Sequence, residues 1–319
     1  MADFQQPHLR IFSGSSNPKL AADIAQRLGV ELGPIKLTRF LSGEIYVHYE
    51  ESIRNCDVFL VQSLSHPINE LFVELLVMID AAKRASARTI NIIVPYYGYA
   101  RQERKSAPRE PISAKMVADV LTTAGATRVL TIDLHAAAIQ GFFNIPVDHL
   151  TALDLISGYL KTKGLRDVVV VSPDAGRASM AEKLASRLDS PFAIMIKKRP
   201  AHNESVITHV IGDVEGRTPV IIEDLIDTGT TIVNVVEGLL ERGANKSIIC
   251  ATHGLFSGQA LEKLSHPGIE EVVVTDSIAL PETHPDTFKV LSVATILARA
   301  TRIIMEGGSI DKLREDAGI

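Results

Sequence analysis

An acidic pair followed by a hydroxyl-rich turn is the segment of this sequence best suited to chemistry. It lies in VIIEDLIDTGTT, residues 220–231, where an apolar run ends in Glu223 and Asp224 and a turn then opens the helical pattern IVNVVEGLLERG. Backbone N–H groups at a helix start are unpaired and the helix dipole favours an anion there. Carboxylates accept hydrogen bonds from vicinal hydroxyls. The combination predicts a sugar phosphate site; the alternative is an ordinary strand-to-helix turn with an Asp or Thr cap.

Within this segment Gly229 permits a positive φ or a close approach of the ligand to the backbone. The Thr hydroxyls add hydrogen-bond donors for phosphate oxygens. The residues predicted to hold the sugar phosphate are Glu223, Asp224, Asp227, Thr228, Gly229, Thr230 and Thr231.

Two cationic segments could neutralise a polyphosphate. The first, YYGYARQERK at residues 96–105, groups Arg101, Arg104 and Lys105; the second, IMIKKRPAHN at residues 194–203, contains Lys197 and Arg199. Phosphoryl transfer needs positive charge on the non-bridging oxygens more than it needs a covalent nucleophile. Taken alone, the first segment could equally be a solvated loop and the second a basic end of a surface strand.

Two further candidates follow apolar runs at their carboxyl ends, where open α/β sheets bind ligands. His135 follows RVLTIDL, and Asp174 ends VVVVSPD. Asp174 supplies carboxylate oxygens, the donors that a hard cation such as Mg²⁺ prefers over a His nitrogen. A single His in this position is more often a structural hydrogen-bonding residue.

The elements that must position these residues alternate regularly. Eight short runs rich in Val and Ile alternate with longer helical patterns, which predicts an α/β protein with largely parallel sheets. Four runs precede Leu150–Gly164 and four follow it. We therefore predict two similar doubly wound domains, residues 1–150 and 151–319, with the last helix possible as a return element on the first domain.

Two helices can be predicted in detail. Asn17 before Pro18 is an N-cap signal and Gly29 a stop signal, so a helix should run from about Pro18 to Leu28. Between Asn69 and Arg84 apolar residues cover most of the helical circumference, which predicts burial on more than one side. That helix fits a central core position and a subunit interface equally well.

Composition excludes several classes of protein. Of the 319 residues, 46% are apolar and 22% charged, as in folded globular proteins, and 33 basic against 38 acidic residues leave a net charge of −5. No global basic field exists to hold a nucleic acid. Two cysteines exclude a disulfide framework. The sequence shows no targeting pattern and no apolar stretch of membrane-spanning length, so we expect a cytoplasmic protein without a membrane partner.

The motifs together resemble one family. The strings RIFSGSSNPKLA, RFLSGEI, VPYYGYARQERK, PREPISAK, RVLTIDLHA, IQGFFNIPVDHL and VVSPDAG, with the 220–231 segment, are similar to those of ribose-phosphate pyrophosphokinases over nearly the whole length. The resemblance implies two domains of phosphoribosyltransferase type. It also implies transfer of the diphosphoryl group of ATP to the anomeric hydroxyl of ribose 5-phosphate, giving PRPP and AMP with Mg²⁺ as cofactor, and a homo-oligomer, a hexamer built from dimers.

The same resemblance assigns residue roles. It implies catalytic roles for Lys197 and Arg199, and Mg²⁺ ligands at His135 and Asp174. It implies that ATP is bound by Phe40, Ser42, Gly43, Glu44, Arg101 and Gln102, with the 40–44 segment presented across a dimer contact. From the residues alone, Phe40 would be a core residue.

Three positions near the predicted sugar site depart from the family pattern. Glu223 replaces an Asp, Thr230 replaces a Gly in the turn, and Arg177 replaces a Gly after Asp174. A β-branched residue resists positive φ, so the backbone at Thr230 must be ordinary or the turn must have shifted. Arg177 puts a bulky cation near the sugar site, so these changes bear on affinity for ribose 5-phosphate.

Two other functions compete with the synthetase. A regulatory subunit associated with PRPP synthetase would keep the fold without needing the charge cluster. A phosphoribosyltransferase that consumes PRPP would share the sugar loop but would need neither the YARQERK segment nor a second domain.

Overall fold

The structure, a computed structural model, describes residues 9–201, 204–310 and 313, with residues 197–208 described at most by their backbone. The chain divides into two compact units. Unit 1 contains the described residues up to Thr151, with Ser277–Ala279 and the described residues from Ser292 onward. Unit 2 contains Ala152–Asp276 and Leu280–Leu291.

Unit 1 is built on a five-stranded parallel sheet with a separate antiparallel hairpin. The sheet has the order β1-β4-β5-β6-β7, and β2 pairs with β3 in the hairpin. The strands are β1 Leu9–Ser13, β2 Ile35–Arg39, β3 Ile45–Tyr49, β4 Asp57–Val61, β5 Thr89–Ile93, β6 Arg128–Ile132 and β7 Val147–Leu150. The helices are α1 Pro18–Leu28, α2 Ile68–Arg84, α3 Ser113–Ala124 and, near the end of the chain, α8 Ala294–Met305; a 3-10 helix spans Ala137–Phe142.

Unit 2 is built on a seven-stranded sheet of order β10-β9-β8-β11-β12-β13-β14, parallel except for β10. Its strands are β8 Val168–Ser172, β9 Phe192–Ala201, β10 Glu204–Ile211, β11 Thr218–Ile226, β12 Ser247–Gly254, β13 Ile269–Thr275 and β14 Phe288–Leu291. Its helices are α4 Leu153–Thr162, α5 Ala178–Leu188, α6 Thr230–Leu240 and α7 Ala260–Lys263; a 3-10 helix spans Ala175–Arg177.

The predicted α/β class with parallel sheets is confirmed. The eight apolar runs are the strands β1, β4, β5, β6, β8, β11, β12 and β13. Strands β4 and β12 are buried along their whole length because helices cover both faces of a parallel sheet. The apolar runs did not predict the partly exposed β2–β3 hairpin, nor β7, β9, β10 and β14.

Helix α1 begins and ends where its capping residues predict. The Asn17 side chain accepts a hydrogen bond from the Leu20 N–H at 3.1 Å, and Pro18 occupies the first turn. Gly29 ends the helix in the left-handed region with φ 76°.

Helix α2 is buried on one side by its own chain. Leu71, Leu75 and Met78 are buried, whereas Val73 is 46% exposed. For this exposed face, the subunit interface stays a prediction. The polar residue that interrupts the apolar pattern, Glu74, is itself buried at 5% exposure. Its carboxylate accepts hydrogen bonds from the Ser15 N–H, the Ser15 hydroxyl and the Gln62 amide at 2.7–2.9 Å. Buried charge is tolerated here because it is fully hydrogen-bonded.

Helix α8 completes unit 1 from the far end of the sequence. It packs on α1, where Arg27 Nε donates to Thr295 Oγ1 at 2.9 Å and Arg302 donates to the Arg27 carbonyl at 3.0 Å. Residues from both ends of the chain therefore form one unit.

Both cysteines are buried free thiols. Burial is the main factor that raises the pKa of each, strongly for Cys250 in the centre of β12. Among the residues that the structure describes, no helix has the length and hydropathy needed to cross a membrane.

Candidate active site

The predicted sugar phosphate residues lie at one edge of the sheet in unit 2. Strands β8 and β11 are parallel neighbours, and their pairing ends at Val171 and Ile221. The loop after β8 and the last residues of β11 therefore emerge side by side at the carboxyl edge, where doubly wound sheets bind ligands.

The turn after β11 is shaped for close approach of a ligand to the backbone. Gly229 precedes α6 with φ 73°, a conformation that favours glycine. Thr230 is the first residue of α6 and has an ordinary negative φ, so replacing the family's Gly has not shifted the backbone into a strained region. The N-cap residue of α6, Gly229, has no side chain with which to cap the first turn. Its N–H groups are thus suited to an anion.

Lys263 is a cation at this turn that sequence reasoning missed. Its Nζ donates a hydrogen bond to Thr230 Oγ1 at 2.8 Å from the short helix α7. Helix α7 also packs against the turn, because a Cβ at Gly229 would lie 3.4 Å from Leu264 and 3.5 Å from the Ala260 carbonyl oxygen. An exposed Lys 33 residues away in sequence gives no signal of this contact.

We predict that Lys263→Met weakens binding of a sugar phosphate about tenfold, because one charge-assisted hydrogen bond near the phosphate is lost. The measurement is the KM or Kd for ribose 5-phosphate. Lys246→Met is the matched control, since Lys246 is exposed and directly precedes β12 at the opposite, amino edge of the sheet. Equal Kd values for Lys263→Met and Lys246→Met would contradict the prediction.

The acidic pair at the end of β11 is buried and bridged. Glu223 is 9% and Asp224 4% exposed. Arg177 reaches both, with its Nε 3.5 Å from Glu223 Oε2 and its Nη2 2.9 Å from Asp224 Oδ2. Arg177, which replaces the Gly of the family pattern, is therefore an ion-pair partner of the two residues predicted to bind the sugar hydroxyls.

Asp174 lies in the loop after β8. Its Oδ1 accepts a hydrogen bond from the Gly176 N–H at 2.9 Å, which caps the 3-10 helix Ala175–Arg177, and its carbonyl accepts one from the Ser172 hydroxyl at 2.6 Å. This capping hydrogen bond holds the Asp174 carboxylate at the carboxyl edge of the sheet, in the same turn as Arg177.

The predicted catalytic residues Lys197 and Arg199 lie in β9, which pairs with β8 and β10. Their side chains lie outside the described part of the structure. Their roles stay predictions.

In unit 1, the residues predicted to bind ATP lie on two loops. Phe40, Ser42, Gly43 and Glu44 form the tip of the β2–β3 hairpin, closed by hydrogen bonds from the Phe40 N–H to the Glu44 carbonyl and from the Gly43 N–H to the Phe40 carbonyl, both 2.9 Å. The Ser42 hydroxyl donates to Glu44 Oε2 at 2.7 Å.

Phe40 is not a core residue, contrary to the interpretation of the residue alone. It is 57% exposed, and its ring meets the edge of Tyr46 with centroids 5.7 Å apart. An exposed aromatic ring on a closed hairpin tip can stack on a planar ligand.

Arg101 and Gln102 lie on the long loop between β5 and α3. The base of this loop is anchored, since the buried Tyr97 hydroxyl donates to the Ala114 carbonyl at 2.9 Å. A Cβ at Gly98 would lie 2.5 Å from the Leu64 carbonyl oxygen, so this close approach requires glycine. Arg101 and Gln102 are both exposed, and Gln102 Oε1 accepts a hydrogen bond from the Ser113 hydroxyl at 2.6 Å. A fixed base with exposed cations at the tip suits a loop that closes over a ligand.

His135 follows β6 in a turn held by a second histidine. The Leu134 N–H donates to Nε2 of His149 at 2.9 Å, so that nitrogen is an acceptor and Nδ1 carries the proton. Asp133 has a positive φ of 39° and its N–H donates to the Leu150 carbonyl at 3.0 Å. Sequence reasoning missed His149, whose only signal is its position on the strand beside β6.

Two family models and two curated relatives that match this chain all belong to the same family. Residues 9–125 match the family model described as the N-terminal domain of ribose phosphate pyrophosphokinase, and residues 174–314 match the phosphoribosyl synthetase-associated domain. The ribose-phosphate pyrophosphokinases of Bacillus cereus and Corynebacterium ammoniagenes are each 51% identical over 307 residues, 96% of this chain and 97% of each relative. The chain belongs to the ribose-phosphate pyrophosphokinase family.

A solved structure in the ribose-phosphate pyrophosphokinase family has the same fold. The crystal structure of phosphoribosylpyrophosphate synthetase from Mycobacterium smegmatis superposes with a TM-score of 0.89 at 44% identity, covering 94% of this chain and 100% of that one. The resemblance inferred from the motifs is thus confirmed for family and fold. The individual site residues stay predictions, because a family match does not test them.

Proposed function

We propose that this protein is a ribose-phosphate diphosphokinase, which transfers the β,γ-diphosphoryl group of ATP to the anomeric hydroxyl of ribose 5-phosphate. The observation that carries the proposal is the carboxyl edge of unit 2. At this edge, helix α6 begins after Gly229, and its first N–H groups are suited to a phosphate. The buried acidic pair, Glu223 and Asp224, precedes this turn and is suited to sugar hydroxyls. The relatives' identity of about half the residues over nearly the full length supports it.

The sugar is held by two sets of groups. The N–H groups and hydroxyls of Asp227–Thr231, with Lys263 beside Thr230, bind the 5-phosphate. Glu223 and Asp224 accept hydrogen bonds from the ring hydroxyls. The anomeric hydroxyl is thereby fixed in orientation, which supplies much of the rate because bound reactants behave as if highly concentrated.

The nucleotide is held by residues of unit 1. Phe40 stacks on the adenine ring, and Ser42, Gly43 and Glu44 contact the nucleoside at the hairpin tip. Arg101 and Gln102 close over the phosphates and exclude water.

The reaction is an in-line displacement. The anomeric oxygen forms a bond to the β-phosphorus of ATP, the bond from the β-phosphorus to the α,β-bridging oxygen breaks, and AMP leaves with that oxygen while the hydroxyl proton passes to solvent. Lys197, Arg199 and Arg101 offset negative charge on the diphosphoryl group as it transfers. No general base is assigned.

We propose Mg²⁺ as cofactor on the chemistry of one carboxylate. Mg²⁺ is commonly held by one or two carboxylates together with substrate phosphates. Asp174, fixed by the Gly176 N–H, is the carboxylate suited to this role, with His135 as the second position implied by the family. When bound with ATP, Mg²⁺ would neutralise phosphate charge.

We further propose that the domains divide near residue 150, with the last helix, α8, returning to the first domain, and that the protein is a cytoplasmic homo-oligomer, a hexamer of dimers. Family membership supports both statements.

The test is to incubate the protein with Mg²⁺, ATP and ribose 5-phosphate and to follow the reaction by phosphorus NMR. We expect AMP and PRPP in equal amounts, and no AMP when ribose 5-phosphate is omitted. Formation of ADP and phosphate would contradict the proposal. Absence of turnover would favour the regulatory subunit.

A further inference from the structure

One guanidinium bridges two buried carboxylates at the sugar site. Arg177 lies 3.5 Å from Glu223 Oε2 and 2.9 Å from Asp224 Oδ2, and the three side chains are 19%, 11% and 6% exposed, respectively. Solvent screening is weak at such burial, so the ion pairs restrict the side chains more than surface pairs would.

The strand alone would not bring these carboxylates together. Glu223 and Asp224 are consecutive in β11, and consecutive side chains of a strand point to opposite faces. The pairing of β11 with β8 has ended two residues earlier, at Ile221 and Val171, which opens this side of β11 to the loop after β8. Arg177 extends from that loop, and its planar guanidinium forms ion pairs with both carboxylates.

The backbone of Arg177 is fixed by the neighbouring Asp174. The Arg177 N–H donates to the Asp174 carbonyl at 3.3 Å, and the Gly176 N–H donates to Asp174 Oδ1 at 2.9 Å. The guanidinium is therefore held from the same short turn that presents Asp174.

We propose that Arg177 is a positioning residue of the sugar site: it holds Glu223 and Asp224 side by side as a paired acceptor for two vicinal hydroxyls of the pentose phosphate. A carboxylate has about four acceptor positions, so a carboxylate paired with a guanidinium can also accept sugar hydroxyls. The paired acceptor makes the site select a sugar with both hydroxyls over a deoxy sugar. This inference rests on the proposed function.

The experiment measures binding by titration calorimetry, with ribose 5-phosphate and 2-deoxyribose 5-phosphate as the two ligands, and steady-state KM for both substrates. For Arg177→Gln we expect the Kd for ribose 5-phosphate to rise at least tenfold. The preference for ribose 5-phosphate over the deoxy sugar should fall at least fivefold, while the KM for ATP stays within twofold. The Kd for ribose 5-phosphate of Arg177→Lys should lie between those of the parent and Arg177→Gln, since an ammonium keeps the charge but cannot bridge two carboxylates as a planar guanidinium does.

Arg187→Gln is the matched control. Arg187 Nε lies 2.6 Å from Asp154 Oδ1 in the same unit, and the side chains are 20% and 29% exposed, so the variant removes a comparable ion pair away from the sugar residues. It should leave sugar discrimination unchanged.

Several results would overturn the inference. One is unchanged sugar discrimination in Arg177→Gln. Another is a loss that affects ATP and both sugars equally together with a lowered Tm, which indicates a structural role. If the parent protein binds no ribose 5-phosphate, the proposed function fails and this inference with it; if the parent binds and Arg177→Gln binds equally well, only this inference fails.

Discussion

Asp224→Asn is expected to lower kcat/KM for ribose 5-phosphate by about 100- to 1000-fold, which is about 3–4 kcal/mol of lost transition-state stabilisation. Two losses add. A neutral amide is a weaker acceptor for a sugar hydroxyl than a carboxylate, and Arg177 loses the closer of its two ion pairs at a position where Asp224 is 4% exposed. The substitution nearly preserves side-chain volume, so the fold should tolerate it.

Steady-state kinetics with varied ribose 5-phosphate at saturating ATP measure the effect. Asp213→Asn is the control, because Asp213 has a 72% exposed side chain and pairs with Arg217 at 3.5 Å on the surface, where ion pairs contribute little. If kcat/KM for ribose 5-phosphate fell less than threefold in Asp224→Asn, the proposal that the acidic pair binds the sugar would be wrong.

Glu74→Ala is expected to reduce the free energy of unfolding by about 2–3 kcal/mol, because the substitution removes the acceptor of the buried Gln62 amide and of two partly buried hydrogen bonds from Ser15. The donors are the Ser15 N–H, the Ser15 hydroxyl and the Gln62 amide. Gln62 in turn accepts from the Ser16 N–H at 3.0 Å and donates to the Leu71 carbonyl at 3.2 Å, so the loop between β1 and α1 depends on the same network.

Urea unfolding followed by circular dichroism measures this change. Glu70→Ala provides the comparison on the same helix, since the Glu70 side chain is 48% exposed and pairs with Arg39 at the surface. That variant should change stability by less than about 1 kcal/mol. A similarly small effect for Glu74→Ala would mean that water satisfies the donors.

Eight strands and the first helix could be predicted because their signals are local. A parallel strand covered on both faces is a continuous apolar run, and the caps of α1 are adjacent to the helix they bound. The β2–β3 hairpin could not be predicted, because its strands are partly exposed and carry no such run. The burial of Glu74 was missed because its partners Ser15 and Gln62 are 59 and 12 residues away.

Some residues of the candidate site could likewise be predicted from local sequence, and others could not. The acidic pair and the Gly229 turn are contiguous in sequence, so their combination was visible. Arg177 attracted notice only as a departure, since its contacts with Glu223 and Asp224 form across the ends of two strands. The hydrogen bonds of Lys263 and His149 reach turns 33 and 15 residues away in sequence, and such contacts leave no periodicity to detect.

The packing of α8 against α1 affects the order in which the protein can form during synthesis. The ribosome extrudes residues 9–150 early, yet this unit gains its last helix only after Ala294–Met305 has emerged. Segments that fold as chains emerge do so from the N-terminus. Here the earliest segment must wait for the latest, so nascent chains stalled before residue 294 should expose the apolar side of α1 and be vulnerable to proteases.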